Sequence, residues 1–168
     1  MTRFDGSTAD CIVNTRKEGV LSAMGHDLVL RVTSFEIVVE GTTSVRARFD
    51  ASSLKVVGAM SHGTVRTDLL SRRDVESIEK LIDEEVLRAS KFPNIEFASS
   101  SVTEVGGDLR VTGSLSLCGA SRELQVVVNE GRRCGVVLDQ RWFGITPYRA
   151  PLGVLRVAPE VMVEVTLH

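Results

Sequence analysis

The chain is poor in the residues that build metal centres, disulfide frameworks and aromatic cores. Aromatic residues make up 5% of its 168 residues, and there are only three histidines and three cysteines. Cys11, Cys118 and Cys134 are odd in number and form no C-x-x-C pair, which argues against a disulfide framework and a zinc site. The histidines lack metal-ligand spacing. We expect buried, reduced thiols and neither a metal nor a cofactor.

Other features that the sequence lacks exclude several classes of function. The net charge of -2 and the pI near 5.9 provide no basic field for nucleic acid. No run of about 18 apolar residues predicts an integral membrane segment. Residues 1–7 lack the apolar core of a secretory signal, so a cytoplasmic location is expected. Nucleotide-binding glycine motifs and the G-x-S-x-G elbow of hydrolases are also missing.

What the sequence does have is the two-residue alternation of half-buried strands. Residues 92–128 predict three antiparallel strands in series, with a turn at Gly106 and Gly107. In the middle strand, polar residues separate the apolar positions Leu109, Val111, Leu115 and Leu117. One face of this sheet should therefore be dry.

Similar patterns predict strands before and after this region. They cover residues 11–15, which end at a turn at Gly19, then 28–40, 45–49, 134–145, 154–157 and 161–167. A hairpin is expected at residues 41–43, and a change of apolar phase near Thr33 and Ser34 predicts a β-bulge. Pro147 and Pro151 should interrupt the ladder. About eight strands result, enough to close a barrel around one small ligand.

A single helix is predicted between residues 58 and 90, where the apolar period changes to about 3.6. Val75, Ile78, Ile82 and Val86 form its apolar stripe. Ser71 with Asp74 resembles a capping box, and Pro93 should mark the end. We expect this helix to lie across the barrel, and the glycine-containing residues 58–64 to form a mobile loop.

The order of these motifs resembles the YceI-like family, over nearly the whole length. Matching elements are residues 24–30, 92–97, 111–119, and 141–145 with 153–157. The resemblance implies an extended eight-stranded antiparallel lipocalin-like β-barrel, with one amphipathic helix packed on it and residues 1–168 in a single domain. Family members hold polyisoprenoids, isoprenoid quinones or fatty-acid derivatives. The chain departs from many relatives at Cys118, where they have histidine, and at Glu123, where they have proline.

Candidate cavity-lining residues follow from the inward phase of the strands. They are Leu28, Leu30, Val32, Phe49, Phe97, Leu109, Val111, Leu115, Leu117 and Val126. Trp142 is a further candidate, either at the cavity entrance beside Arg141 or as a plug at the base of the barrel. His26, Asp27 and Arg141 could form a polar anchor at the mouth. The sequence favours His26 as a structural residue at the rim, because adjacent strand residues such as His26 and Asp27 point to opposite faces.

The leading hypothesis is a protein that binds an apolar, chain-like small molecule by burial. One alternative is a dimerising scaffold or stress-response protein with a packed core and no ligand. Another is a small hydrolase or isomerase that uses His26 with Asp27. The expected partners are a hydrophobic ligand and, in the dimerising alternative, a second copy of the chain.

Overall fold

The computed structural model describes residues 1–18, 26–149 and 156–168, and these contain fourteen strands. Every strand pair is antiparallel. The strands are β1 (Thr2–Asp5), β2 (Ala9–Asn14), β3 (Lys17–Glu18), β4 (Asp27–Val32), β5 (Phe35–Glu40), β6 (Ser44–Asp50), β7 (Leu54–Ser61), β8 (Thr64–Arg66), β9 (Asn94–Val105), β10 (Asp108–Leu117), β11 (Ala120–Val128), β12 (Arg133–Asp139), β13 (Arg156–Val157) and β14 (Glu160–Leu167).

The strands form two large sheets and one small one. The first sheet has the order β1-β5-β6-β9-β10-β11, and the second has the order β12-β14-β2-β4-β7-β8. Strands β3 and β13 pair separately. The prediction of an antiparallel, mostly β fold with one helix is confirmed. The prediction of eight strands in one barrel is wrong, because the described pairings join fourteen strands into separate sheets.

The structure has more strands than predicted because the chain turns a corner where it passes from one sheet to the other. Strand β4 ends at Val32 and β5 begins at Phe35 in the other sheet. Between them, the backbone N–H groups of Thr33 and Ser34 both donate to Ser53, to its carbonyl and hydroxyl oxygens respectively, each at 3.1 Å. The change of phase in the apolar positions near Thr33 and Ser34 therefore marks a corner between the two sheets. The prediction of a β-bulge there is wrong.

The predicted three-strand series is confirmed as β9, β10 and β11. Its two turns are Gly106-Gly107 and Cys118-Gly119, and all four residues have positive φ, as in the tight type I′ turns that suit β-hairpins. The register of β9 against β10 shifts next to Gly113. A Cβ atom at Gly113 would lie 2.5 Å from the Phe97 ring, so this ring occupies the space that a side chain would need.

The predicted hairpin at 41–43 is also confirmed, whereas the loop predicted at 58–64 is not. Strand β7 continues to Ser61, and His62 and Gly63 make a two-residue turn into β8. Gly58 lies inside β7, where a Cβ would be 2.5 Å from the carbonyl oxygen of Arg66. The absence of a side chain at Gly58 therefore allows β7 and β8 to approach closely, and this glycine does not mark a loop.

One helix packs beside β7. Helix α1 (Arg72–Leu81) begins with the predicted capping box: Asp74 N–H donates to the Ser71 hydroxyl, and Ser71 N–H donates to the Asp74 carboxylate. A π-helical turn, Ile82–Val86, follows. The helical segment ends well before Pro93, since Arg88 adopts positive φ and the Ala89 N–H donates to the Asp83 carbonyl at 2.9 Å.

The strand predicted for residues 134–145 is shorter in the structure. Strand β12 ends at Asp139, and a 3₁₀ helix, Gln140–Phe143, takes its place. The Asp139 carboxylate accepts the Arg141 N–H at 2.9 Å, which caps this helix. The strands predicted near residues 11–15 and 161–167 are confirmed as β2 and β14. The predictions for Gly19, Pro151 and residues 153–155, and the motif residues 24 and 25, fall outside the described residues.

The buried core consists of two clusters. One joins β10, β12, the segment after the helix and the 3₁₀ helix through Leu87, Leu115, Leu138, Phe143 and Ile145. The other joins β1, β2, β4 and β5 through Phe4, Cys11, Val32, Phe35 and Ile37. Both clusters are extended by partly buried aliphatic residues on the inner faces of the two sheets. The inner faces therefore provide one continuous apolar environment.

Replacing Gly113 with alanine tests the close approach of Phe97. The added Cβ meets both the Phe97 ring and the Ala98 carbonyl oxygen at 2.5 Å. We expect Gly113→Ala to lower the free energy of unfolding by about 1–3 kcal/mol, as overpacking does, in urea titrations. Gly135→Ala is the matched control, because the nearest atom to a Cβ there is the Met162 sulfur at 3.7 Å. Equal losses in both variants would contradict the packing described.

Candidate functional site

A cavity of about 680 Å³ lies between the two large sheets. This volume falls within the range of small-molecule sites, which is roughly 300–1,000 Å³. Aliphatic side chains from both sheets and from the helix make up most of its wall. An apolar wall of this kind favours a ligand with apolar surface, because burial of that surface releases it from water.

The strand alternation identified the wall correctly. All ten positions predicted from the inward phase line the cavity: Leu28, Leu30, Val32, Phe49, Phe97, Leu109, Val111, Leu115, Leu117 and Val126. They come from β4, β6, β9, β10 and β11, which belong to both sheets. Successive strand residues point to opposite faces, so the same alternation that makes a dry face makes a cavity wall.

Trp142 does not belong to this wall. It lies on the 3₁₀ helix with 46% of its surface exposed, while the next residue, Phe143, is only 1% exposed. The exposure of Trp142 excludes a plug at the base of the barrel, whereas a position at the cavity entrance stays a prediction. Asp139 caps a 3₁₀ helix where a strand was predicted. As a result, Phe143 rather than Trp142 faces the core. Tyr148 is the aromatic residue of this region that lines the cavity.

The three predicted anchor residues do not come together. His26 lines the cavity and is exposed. Asp27 does not line it, and its carboxylate accepts the Lys17 N–H at 2.7 Å. Arg141 forms a two-pronged ion pair with Asp139, with its closest contact at 2.6 Å, and borders a separate cleft. These hydrogen bonds lower the pKa of Asp139 and raise that of Arg141.

Sequence reasoning missed several parts of the wall, of which the helical segment and the C-terminal strands are two. The helix contributes Ile78, Ile82 and Val86 from its predicted apolar stripe. The C-terminal strands contribute Val136, Leu138, Val161, Val163 and Val165. The alternation of β14 was visible in the sequence and could have identified its residues. The helical residues could have been found only by knowing that the stripe faces a cavity rather than a filled core.

Two of the three cysteines also line the cavity. Cys11 on β2 and Cys134 on β12 are both opposite Val165 of the intervening strand β14. Burial, with a smaller effect of Cys134, raises the pKa of Cys11 to about 12. Burial also raises the pKa of Cys134. The third thiol, Cys118, is buried and donates to the Leu87 carbonyl at 3.3 Å. None of the three cysteines forms a disulfide within the described residues.

The geometry of the cavity agrees with the family assignment by sequence. A family model described as YceI-like domain matches residues 20–168. The chain belongs to the YceI-like family. A UPF0312 protein of Shewanella denitrificans is 28% identical over 102 residues, covering 58% of this chain and 53% of that protein. A UPF0312 protein of Enterobacter sp. strain 638 is 37% identical over 59 residues, 35% of this chain and 31% of its own length. The chain thus spans about half or less of these relatives.

Solved structures share the fold of this YceI-like chain at low sequence identity. BcnA of Burkholderia cenocepacia superposes with a TM-score of 0.66 at 15% identity, over 97% of both chains. A polyisoprenoid binding domain from Saccharophagus degradans, implicated in plant cell wall breakdown, gives 0.60 at 10% identity, over 95% of this chain and 91% of its own. Within the described residues, no helix combines the length and the apolar character needed to cross a membrane.

The raised pKa of Cys11 predicts slow alkylation in the folded protein. The thiolate is the nucleophile, so its fraction at pH 8 should be about a thousandfold smaller at a pKa near 12 than at the ordinary 8.5. Iodoacetamide labelling, located by peptide mass spectrometry, should therefore modify Cys11 far more slowly in native protein than in urea, and faster as pH rises. Native labelling at the unfolded rate would contradict the burial of Cys11.

Proposed function

We propose that this YceI-like protein binds and carries an apolar, chain-like small molecule within the cavity between its sheets. An isoprenoid, an isoprenoid quinone or a fatty-acid derivative has the required shape and chemistry. The observation that carries this proposal is the continuous aliphatic wall of a cavity of about 680 Å³, built by both sheets and the helix. The fold shared with a polyisoprenoid binding domain supports the same class of ligand.

Burial of apolar surface is sufficient to hold such a ligand. Each buried methylene contributes about 0.8 kcal/mol, so ten of them contribute about 8 kcal/mol before the costs of association and ordering. The lining from Leu28 to Val165 is mostly aliphatic on both sheets. A long chain can therefore bind without an ion pair between ligand and protein. Polar groups in the cavity wall can still favour some ligands over others.

The two alternatives have less support from the site. A packed-core scaffold would need side chains to fill the space between the sheets, which the aliphatic wall leaves open. A hydrolase or isomerase using His26 with Asp27 would need the imidazole at the ligand and the Asp27 carboxylate bonded to that imidazole. Only His26 lines the cavity, and Asp27 accepts a backbone hydrogen bond from Lys17. We therefore propose a binding role rather than an enzymatic one. Cytoplasmic location and dimerisation stay predictions.

Adjacent valines on β11 provide a direct test of binding in the cavity. Val126 lines the cavity, whereas Val127 faces outward and is 44% exposed. We expect Val126→Trp to fill the cavity and to weaken binding of a neutral long-chain alcohol at least about tenfold, measured by displacement of a fluorescent apolar probe. Val127→Trp should bind normally.

Urea titrations of both variants establish that each is folded before binding is compared. Unchanged binding by a folded Val126→Trp protein would exclude the cavity as the binding site. Equal loss of binding in both tryptophan variants would also contradict the proposal, because Val127 does not line the cavity.

A further inference from the structure

Cationic side chains gather at one end of the cavity. In the β3–β13 pair, Lys17 lies opposite Val157, next to Arg156. The backbone N–H of Ala158 donates to the Arg16 carbonyl at 2.8 Å. Arg16, Lys17 and Arg156 all contribute to the cavity wall. The short strand pair and the residue before it therefore carry three cationic residues to the same end of a mostly apolar cavity.

Hydrogen-bonding side chains flank these cations. The Lys17 N–H donates to Asp27, which brings the neighbouring His26 to the same end. The Val157 N–H donates to the Tyr148 carbonyl at 3.0 Å, which places Tyr148 beside the strand pair. Both His26 and Tyr148 line the cavity. The end therefore offers charge together with an imidazole and a phenol, groups that can donate to an anion.

Asp74 is the acidic residue in the described part of the cavity wall, and it already has hydrogen-bond partners at the start of its own helix. Asp74 accepts the Ser71 N–H at 2.9 Å as part of the capping box. Hydrogen bonding to the Ser71 side chain is the main reason that the pKa of Asp74 is lowered; the Ser71 N–H bond and the charge of Arg73 also contribute. Asp74 thus stays ionised with local partners on its own helix.

The acidic residues near the strand pair lie outside the cavity. Arg141 is bound mainly by Asp139, and its pKa is raised further by the charges of Glu160 and Glu18. Glu18 lies directly opposite Arg156 in the strand pair, and it borders the separate cleft, which Arg141 and Arg156 also line, rather than the cavity. Glu18 therefore offsets part of the positive charge of Arg156 from outside the cavity.

Arg156 has the acidic Glu18 on one side and a positively charged neighbour on the other. Arg149 and Arg156 lie directly opposite each other in an isolated antiparallel bridge, an arrangement that is unfavourable for like charges. The ion pairs found in the described part of the chain do not include Arg16 or Arg156. Residues 19–25 and 150–155, which adjoin this end in sequence, contain no charged side chain. A bound anion would offset this excess of positive charge.

We propose that the cavity selects amphiphiles with an anionic headgroup, a carboxylate or a phosphate, bound at the end formed by Arg16 and Arg156 while the chain occupies the apolar wall. Guanidinium groups bind both anions through paired hydrogen bonds. The proposal rests on the proposed function, since it assigns the headgroup of the same ligand. It favours fatty acids and prenyl phosphates over uncharged quinones and alcohols of equal chain length.

The test compares ligands that differ only in the headgroup. Oleate is paired with oleyl alcohol, and geranylgeranyl phosphate is paired with geranylgeraniol, each displacing a neutral fluorescent probe. We expect the anionic member of at least one pair to bind at least about tenfold tighter, with a preference that weakens as NaCl is raised. A larger preference in the oleate pair identifies a fatty acid, and a larger one in the phosphate pair identifies a prenyl phosphate. Either result supports the proposal.

Variants locate the preference. Arg16→Gln combined with Arg156→Gln should weaken the binding of oleate far more than the binding of oleyl alcohol, so that the anion preference is lost. Arg110→Gln, which removes an exposed arginine from β10, is the matched control and should keep the preference. Tight but equal binding of acid and alcohol by the unaltered protein overturns the headgroup proposal and leaves the proposed function intact. Failure of all four ligands to bind overturns the proposed function itself.

Discussion

The alternation of small aliphatic and polar residues along the strands is the constraint on which the structure depends. It gives each sheet one dry face, and the two dry faces must be brought together out of water. Few aromatic residues are available to fill the space between them: the chain has six phenylalanines, one tyrosine and one tryptophan. The tryptophan is largely exposed. Valine and leucine line the faces without filling the gap, so the packing leaves a cavity.

The surrounding elements hold the two faces apart and close the space around them. The corner at Thr33 and Ser34 carries the chain from one sheet to the other, and Ser53 fixes it through backbone hydrogen bonds. The apolar stripe of helix α1 and the π-helical turn covers the cavity beside β7. Buried clusters around Phe143 and Phe35 anchor the surrounding strands. The cavity therefore results from the way the strands, the corner and the helix pack together. Its apolar wall requires only aliphatic and aromatic residues.

Patterns with a local cause were predictable from the sequence. The ten lining positions followed from alternation, and the helix start followed from Ser71 and Asp74. Features decided by tertiary contacts were not. Gly58 looks like a loop residue until the Arg66 carbonyl is placed against it. Trp142 looks like a strand residue until Asp139 caps the 3₁₀ helix. The cationic end was not predictable either, because Arg16 and Arg156 lie far apart in sequence and are brought to the same end by the β3–β13 pair and the Ala158–Arg16 backbone hydrogen bond.

The central claim is that the space between the sheets holds an apolar chain. Native mass spectrometry of freshly purified protein, followed by organic extraction and lipid analysis, tests it most directly. The account predicts a stoichiometric adduct that extracts as an isoprenoid or acyl chain. A protein that keeps the mass of the bare chain, even after incubation with isoprenoid quinones, prenyl phosphates and fatty acids, would contradict it.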